Sequence, residues 1–211
     1  MTIVNEIKNH FSDYPVFTYR DLRLYFSGKR GIKPSNLTRI LSYMKSNDCL
    51  YALKKGVYTF KKNDMVSGFA YAPFYYGLLS ALTLRELWAQ NSRPEIMTIK
   101  KVRSNRTPIF DDPKDVIFVH HIPTRYFFGF DVITYGAMKL PVSDPEKTLI
   151  DLFYYKVKLP IQNYDGLLRS IEVKKINKYL KAYDRHTAIA VLNFIKKYKR
   201  SADVGKLSSP Y

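Results

Sequence analysis

One short stretch carries the side chains best suited to chemistry with a nucleic acid. In Ser35-Asn36-Leu37-Thr38-Arg39-Ile40-Leu41-Ser42-Tyr43-Met44 the apolar residues Leu37, Ile40, Leu41 and Met44 recur at i, i+3, i+4 and i+7, which makes one buried stripe of a helix. Asn36, Thr38, Arg39, Ser42 and Tyr43 are left on the other side, with Ser35 at the start. Amide, hydroxyl and guanidinium groups are the donors and acceptors that meet base edges and phosphates in a groove. A helix laid in the major groove turns its first residues to the bases. Asn36 then suits adenine and Arg39 guanine, each pair contributing roughly 1–3 kcal/mol of discrimination. Lys54 and Lys55 are expected to meet backbone or minor groove, and Lys29, Arg30, Lys33 and Lys45 to hold phosphates.

The elements that must position these groups are legible around them. Thr18-Tyr19-Arg20-Asp21 is a weak capping box opening a short helix through Leu22, Tyr25 and Phe26. Gly28 to Pro34 forms a turn that no helix can cross. Pro34 disfavours helical geometry at Lys33, and Ser35 is the expected cap of the next helix. Two short strands, Cys49–Leu53 and Val57–Phe60, flank the turn Lys54-Lys55-Gly56 and read as a hairpin. Upstream, Val4, Ile7 and Phe11 predict a third amphipathic helix. Taken singly, an amphipathic helix is an ordinary solvated face and two lysines are an ordinary hairpin tip. Their order is that of a winged helix-turn-helix, expected over residues 1–64.

Composition agrees with a polyanionic partner. A formal net charge of +17 and a sequence pI near 9.8 favour nucleic acid or an acidic surface. The charge is shared, about +7 over residues 1–67 and about +10 over 68–211; a uniformly lysine-rich composition would give the same totals without meaning. Hydrophobic content of 46% excludes general disorder. Cys49 is the only cysteine, which points to a reducing compartment. Met1 to Phe11 lacks the apolar core of a signal peptide. Met65 to Leu84 has no charged residue, but Gly68, Pro73 and Gly77 interrupt it, so a linker and a buried helix are expected rather than a membrane span. A soluble cytoplasmic protein without membrane partner or cofactor is the resulting expectation.

The second part, residues 65–211, reads as mixed α+β with a small sheet and C-terminal helices. A connection over Asn63–Pro73 is followed by a helix marked by Tyr75, Leu78, Leu79 and Leu82. Strands are predicted at Ile96–Ile99, Asp115–Ile122, Phe127–Tyr135 and Met138–Val142, with a basic loop at Lys100, Lys101, Arg103 and Arg106. Pro145 then opens a helix that Ser143 or Asp144 caps, with Leu149, Leu152 and Phe153 inward. Three further helices follow around Leu167, Ile176 and Val191. A cluster of lysines on the last two (Lys174, Lys175, Lys178, Lys181, Lys196, Lys197, Lys199, with Arg200) reads either as a second basic surface or as solvated helix faces.

With these segments on the page the chain resembles the AbiEi antitoxins of prokaryotic type IV toxin–antitoxin systems. The resemblance covers most of the chain. It rests on "KKGVYTF" at 54–60, "SALTL" at 80–84 and, most specifically, "DPEKTLIDL" at 144–152. It implies an N-terminal domain that binds and represses the operon's own promoter, with repeated sites expected. It also implies a C-terminal domain that counters a nucleotidyltransferase-like toxin without a stable complex. The residues of "DPEKTLIDL" have a structural explanation beside that one. Proline and carboxylates suit a helix's first turn, where Asp144 and Glu146 complement the dipole. Asp151 sits one turn in, next to the apolar stripe, and needs a partner from Arg85, Arg125 or Lys147.

No catalytic constellation stands out. His120 and His121 are adjacent on a predicted strand and point to opposite faces, and one cysteine makes no Cys/His zinc site. Nucleotide-binding glycine loops and the nucleophile elbow are missing. Glu172-Val173-Lys174 has a nuclease-like Glu-x-Lys spacing but falls between predicted helices. The expectation is a non-enzyme. A plain winged-helix transcription factor with a ligand-sensing or dimerising C-terminal domain, and a nuclease, are the alternatives, and the oligomeric state stays open.

Overall fold

A computed structural model describes residues 2–28 and 32–207, and their side chains except those of 199 and 201–207. Lys29, Arg30 and the side chain of Lys199 therefore lie outside the described residues. The fold is α+β. By contact the chain groups into two compact units, Met1–Phe74 with Arg93–His121, and Tyr75–Ser92 with Ile122–Tyr211. The expected stretches 1–64 and 65–211 are continuous in sequence; these units are not.

The first unit opens with the winged helix. Its elements run α1 (Ile3–Phe11), β1 (Phe17–Thr18), α2 (Tyr19–Phe26), α3 (Pro34–Ser46), β2 (Tyr51–Lys54) and β3 (Val57–Thr59). Local chemistry sets the boundaries. The capping box at α2 is complete, with the Thr18 hydroxyl accepting from the Asp21 N–H and Asp21 accepting from the Thr18 N–H at 2.7 Å. Lys33 is extended before Pro34, as the proline demands. Ser35 is not the cap: α3 begins at Pro34, one residue before it, with Lys33 at the N-cap position and no side-chain cap bond. Gly56 turns the hairpin at a positive φ of 74°. β1, too short for a periodic pattern, completes a sheet of order β1-β3-β2. Ile7, Phe11, Phe17, Leu22, Phe26, Leu37, Leu41, Met44 and Leu50 form its core, with Ile40 packed at the edge.

The supposed linker is ordered. Asn63 accepts from the Met65 N–H and opens a 3-10 stretch, Asp64–Tyr71, most of which is buried. β5 (Glu95–Thr98) lies parallel to β7 (Asp112–His121), and β6 (Arg106–Ile109), not anticipated as a strand, pairs antiparallel with β7 on its other side. Phe110 and Asp111 turn the β6–β7 hairpin at φ values of 59° and 56°. Two positive φ values make the tight turn whose usual occupants are Asn-Gly or Asp-Gly. A phenylalanine there needs support, and it has it. The Phe110 N–H donates to the Ala52 carbonyl oxygen at 2.7 Å, and its ring stands edge-on to Tyr51. These contacts bring Arg93–His121 into the winged helix's unit.

Where the second unit begins, at Tyr75, β4 (Phe74–Tyr76) replaces the start of the predicted helix, and α4 (Leu78–Leu84) is the short remainder. Tyr76 stands opposite Val142 of β9 (Met138–Ser143) in a parallel pair, and β8 (Phe130–Tyr135) runs antiparallel beyond it. Residues 74–76 are buried throughout, so no alternation marks them as a strand. α5 (Pro145–Tyr154), α6 (Asp165–Ser170), α7 (Val173–Leu180) and α8 (Arg185–Leu207) complete the unit. Among the described residues no helix is long and apolar enough to cross a membrane.

Candidate nucleic-acid interface

The winged helix presents α3 much as its periodicity requires. Leu37, Leu41 and Met44 are buried, while Ser35, Thr38, Arg39, Ser42 and Tyr43 are exposed and Asn36 is half-buried. Tyr43 is 60% exposed, a large ring that the domain's own core does not use. The first turn of α3 holds no acidic residue and follows the exposed Lys33. The positive end of the helix dipole therefore points toward any anion placed there. Thr38 is partly committed: its hydroxyl lies 3.4 Å from the Pro34 carbonyl oxygen and 3.5 Å from the Tyr19 hydroxyl.

The lysines divide. Lys55 is exposed at the wing tip. Lys54 turns inward from the end of β2, donating to the Ala70 carbonyl oxygen with its ammonium 4.2 Å from the centroid of the Tyr71 ring. Burial, then the nearby Lys100 charge, hold it below the usual lysine range. Lys45 is bonded to Asp111 at 3.0 Å. The periodic pattern did not mark Arg20 and Arg23, which are exposed on α2.

The "DPEKTLIDL" segment behaves differently. Asp144 caps α5, accepting from the Lys147 N–H at 2.7 Å. Lys147 and Asp151 are both wholly buried and ion-paired one turn apart. Asp151 also accepts from the Tyr75 hydroxyl at 2.8 Å and the Tyr183 hydroxyl at 2.9 Å, and Lys147 donates to Tyr183 at 2.6 Å. Burial draws the Lys147 ammonium below its usual range and the Asp151 charge opposes it, while burial and Asp151 push the Tyr183 phenol up. Of the three partners expected for Asp151, Lys147 is the one found. Arg85 instead donates to the Ser143 and Val142 carbonyl oxygens and pairs with Asp131, and the Arg125 guanidinium lies over the Tyr126 ring.

Around this pair, Lys175 lies 3.1 Å from Asp144 and 2.9 Å from Glu146, so it is no part of a free basic face. Glu146 accepts the Glu172 N–H at 2.7 Å, which places the Glu-x-Lys triplet at the start of α7 as a helix junction. Tyr179 donates to Asp144 at 2.7 Å; burial and that bond push its phenol up to about 12. Gly129 is needed where it stands: at a φ of 72°, a Cβ would come 2.9 Å from the Tyr179 ring and 3.0 Å from the Lys147 Cβ. Among the described residues no group of three His, Cys, Asp or Glu side chains converges as metal ligands; His120 meets Glu95 at 3.0 Å.

Neither a family model nor a curated protein sequence matches the chain. Its fold is similar to that of the RV2827C protein from Mycobacterium tuberculosis, with a TM-score of 0.60 at 15% identity, covering 92% of this chain and 74% of that one. At that identity the likeness concerns the fold alone.

Proposed function

We propose that the chain is a DNA-binding transcriptional autorepressor and the antitoxin of a type IV, abortive-infection type toxin–antitoxin system, acting in the cytoplasm without catalysis of its own. The observation that carries the DNA-binding half is the face of α3. Ser35, Thr38, Arg39, Ser42 and Tyr43 stand exposed on a helix whose first turn lacks acid, beside a Lys55-tipped wing, in a chain of net charge +17. Lys33 and Lys55 supply phosphate contacts in this reading, and Asn36 and Arg39 read bases. The antitoxin half is supported by the resemblance over residues 54–60, 80–84 and 144–152, which implies a nucleotidyltransferase-like toxin as functional partner and no stable complex with it.

The test is a gel-shift titration on DNA from just upstream of the gene, beside scrambled DNA, at two salt concentrations. Selective binding that Arg39→Ala abolishes supports the autorepressor. Equal binding to both DNAs reduces the reading to a general polyanion surface, and absence of binding removes it. Rescue of cells from a co-expressed nucleotidyltransferase toxin tests the antitoxin half separately.

A further inference from the structure

The inward turn of Lys54 opens onto a second basic feature of the same unit. Facing it is the segment between β5 and β6, with Lys100, Lys101 and Arg103, followed by Arg106 at the start of β6. Between wing and segment lies a cleft of about 600 Å³. Its lining includes six cations and no carboxylate.

The segment is held in shape rather than loosely tethered. Thr98 accepts the Lys100 N–H at 3.2 Å through its hydroxyl, and Ser104 both donates to the Arg106 carbonyl oxygen at 2.9 Å and accepts its N–H at 3.3 Å. The Asn105 carbonyl oxygen accepts from Val119 of β7 at 2.8 Å. Lys100, Lys101, Arg103 and Arg106 are exposed, so their heads are available to a ligand. Like charges gathered in a concavity focus a positive potential that a multiply charged anion relieves. Burial first, and the Lys100 charge second, lower the proton affinity of Lys54 at the cleft's inner wall.

Size and wall chemistry narrow the ligand. A volume of about 600 Å³ falls in the range of small-molecule sites. A duplex lies across a surface, whereas this is a recess. Between the cations the wall is carbon, from Val102, Pro108 and the edge of Tyr71. Guanidinium groups bind phosphate in a two-pronged fashion, and lysines add point charges.

We propose that the cleft between the wing and residues 100–106 binds a small polyphosphate ligand of the nucleotide class. Arg103 and Arg106 grip the phosphates, Lys55, Lys100 and Lys101 neutralise them, and Val102 and Pro108 receive the less polar end. Because the wing supplies one wall, occupancy would link a soluble metabolite to the wing's position. The binding itself requires no DNA; it shares Lys55 with the autorepressor reading but rests on residues 100–106, which that reading does not use.

The experiment is isothermal titration of the full chain, without DNA, by ATP, pyrophosphate and adenosine at low and physiological salt. Expected is saturable binding of ATP and of pyrophosphate and none of adenosine. Arg103→Ala/Arg106→Ala should weaken ATP roughly tenfold or more, the scale of lost charge-assisted hydrogen bonds. Lys174→Ala/Lys178→Ala on α7 removes the same charge elsewhere and should change affinity by no more than about twofold, as a screened surface effect. Unchanged melting curves for both variants keep the comparison fair, since all four side chains are exposed. The proposal falls if no polyphosphate saturates the protein, or if the α7 variant loses as much as the cleft variant. It falls equally if duplex DNA is the only polyanion whose binding depends on Arg103 and Arg106. Failure here would leave a selective, Arg39-dependent gel shift untouched.

Discussion

The helices α3 and α5 use their polar and charged side chains in opposite ways. On α3 the polar residues stand outside the apolar stripe and face solvent, and the core beneath is built of leucine, methionine and aromatic rings. On α5 they are inside: Glu146, Lys147, Thr148 and Asp151 are buried, and hydrogen bonds from Tyr75, Tyr183, Ser143 and the Glu172 backbone meet them. Polar groups left in water cost the fold little and remain free to meet a partner. Polar groups withdrawn from water must be satisfied within the chain. A motif-like run such as "DPEKTLIDL" is therefore spent on holding α5 against α7 and α8, whereas the less conspicuous residues of α3 are the ones with capacity to spare.

That contrast can be broken most severely at Asp151. Asp151→Ala leaves the Lys147 ammonium buried without its counter-charge, so a loss of about 3–5 kcal/mol is expected, read as a lower melting temperature and urea midpoint. An unchanged melting temperature with lost antitoxin activity would assign the segment to function and overturn the structural reading. Gly129→Ala comes next. A methyl group 2.9 Å from the Tyr179 ring forces the ring or the Lys147 stem to move, with an expected loss of about 1–3 kcal/mol from overpacking, seen in the same measurement.

At α3 the pattern inverts. Arg39→Ala should leave stability within about 0.5 kcal/mol, as exposed substitutions do, yet remove about 1–3 kcal/mol of discrimination between upstream and scrambled DNA. Lys55→Ala should weaken both DNAs alike and lower the salt slope by about one. A large change of melting temperature for Arg39→Ala would erase the difference between the helices.

The smallest effect is the pH dependence that Glu146 contributes. Burial opposes the Glu146 charge, but the Glu172 N–H and Lys175 overcome it and hold the carboxyl below the ordinary value of 4.5. A carboxyl depressed in the folded state contributes stability that is present above its unfolded pKa and lost as pH falls through the folded one. Thermal stability should therefore decline as pH drops below about 4.5, and Glu146→Gln should flatten that decline. A slope identical to that of the unaltered protein would place the acid sensitivity elsewhere.

The parts of this molecule that were legible in its sequence are those governed by neighbours a few residues away. The Thr18–Asp21 box, the extended Lys33 before Pro34, the Gly56 turn and the spacing of Leu37, Leu41 and Met44 each follow from local geometry. Ser35 is a near miss of the same kind: a good capping residue lost the position because Pro34 can occupy a helix's first turn and started the helix two residues earlier than a Ser35 cap would. The strands β4 and β6 were not legible. β4 is buried on both faces and shows no alternation, and the β6–β7 turn carries Phe110-Asp111 where a turn of that shape is usually marked by glycine or asparagine. The inward path of Lys54 was equally hidden, because nothing adjacent in the chain distinguishes it from Lys55.

The sequence by itself determined a winged helix at the N-terminus, the exposed face of α3, the basic character of the chain and the start of α5 at Pro145. Only the tertiary structure decided that Phe110 is held in a left-handed turn by Ala52 and Tyr51, that Lys54 joins Lys100 and Arg103 around one cleft, and that Tyr75 and Tyr183 close over the buried Lys147–Asp151 pair. The physical reason is range. Caps, turns and amphipathic stripes act over one or two helical turns, whereas charges are buried, paired or crowded together by residues dozens of positions away.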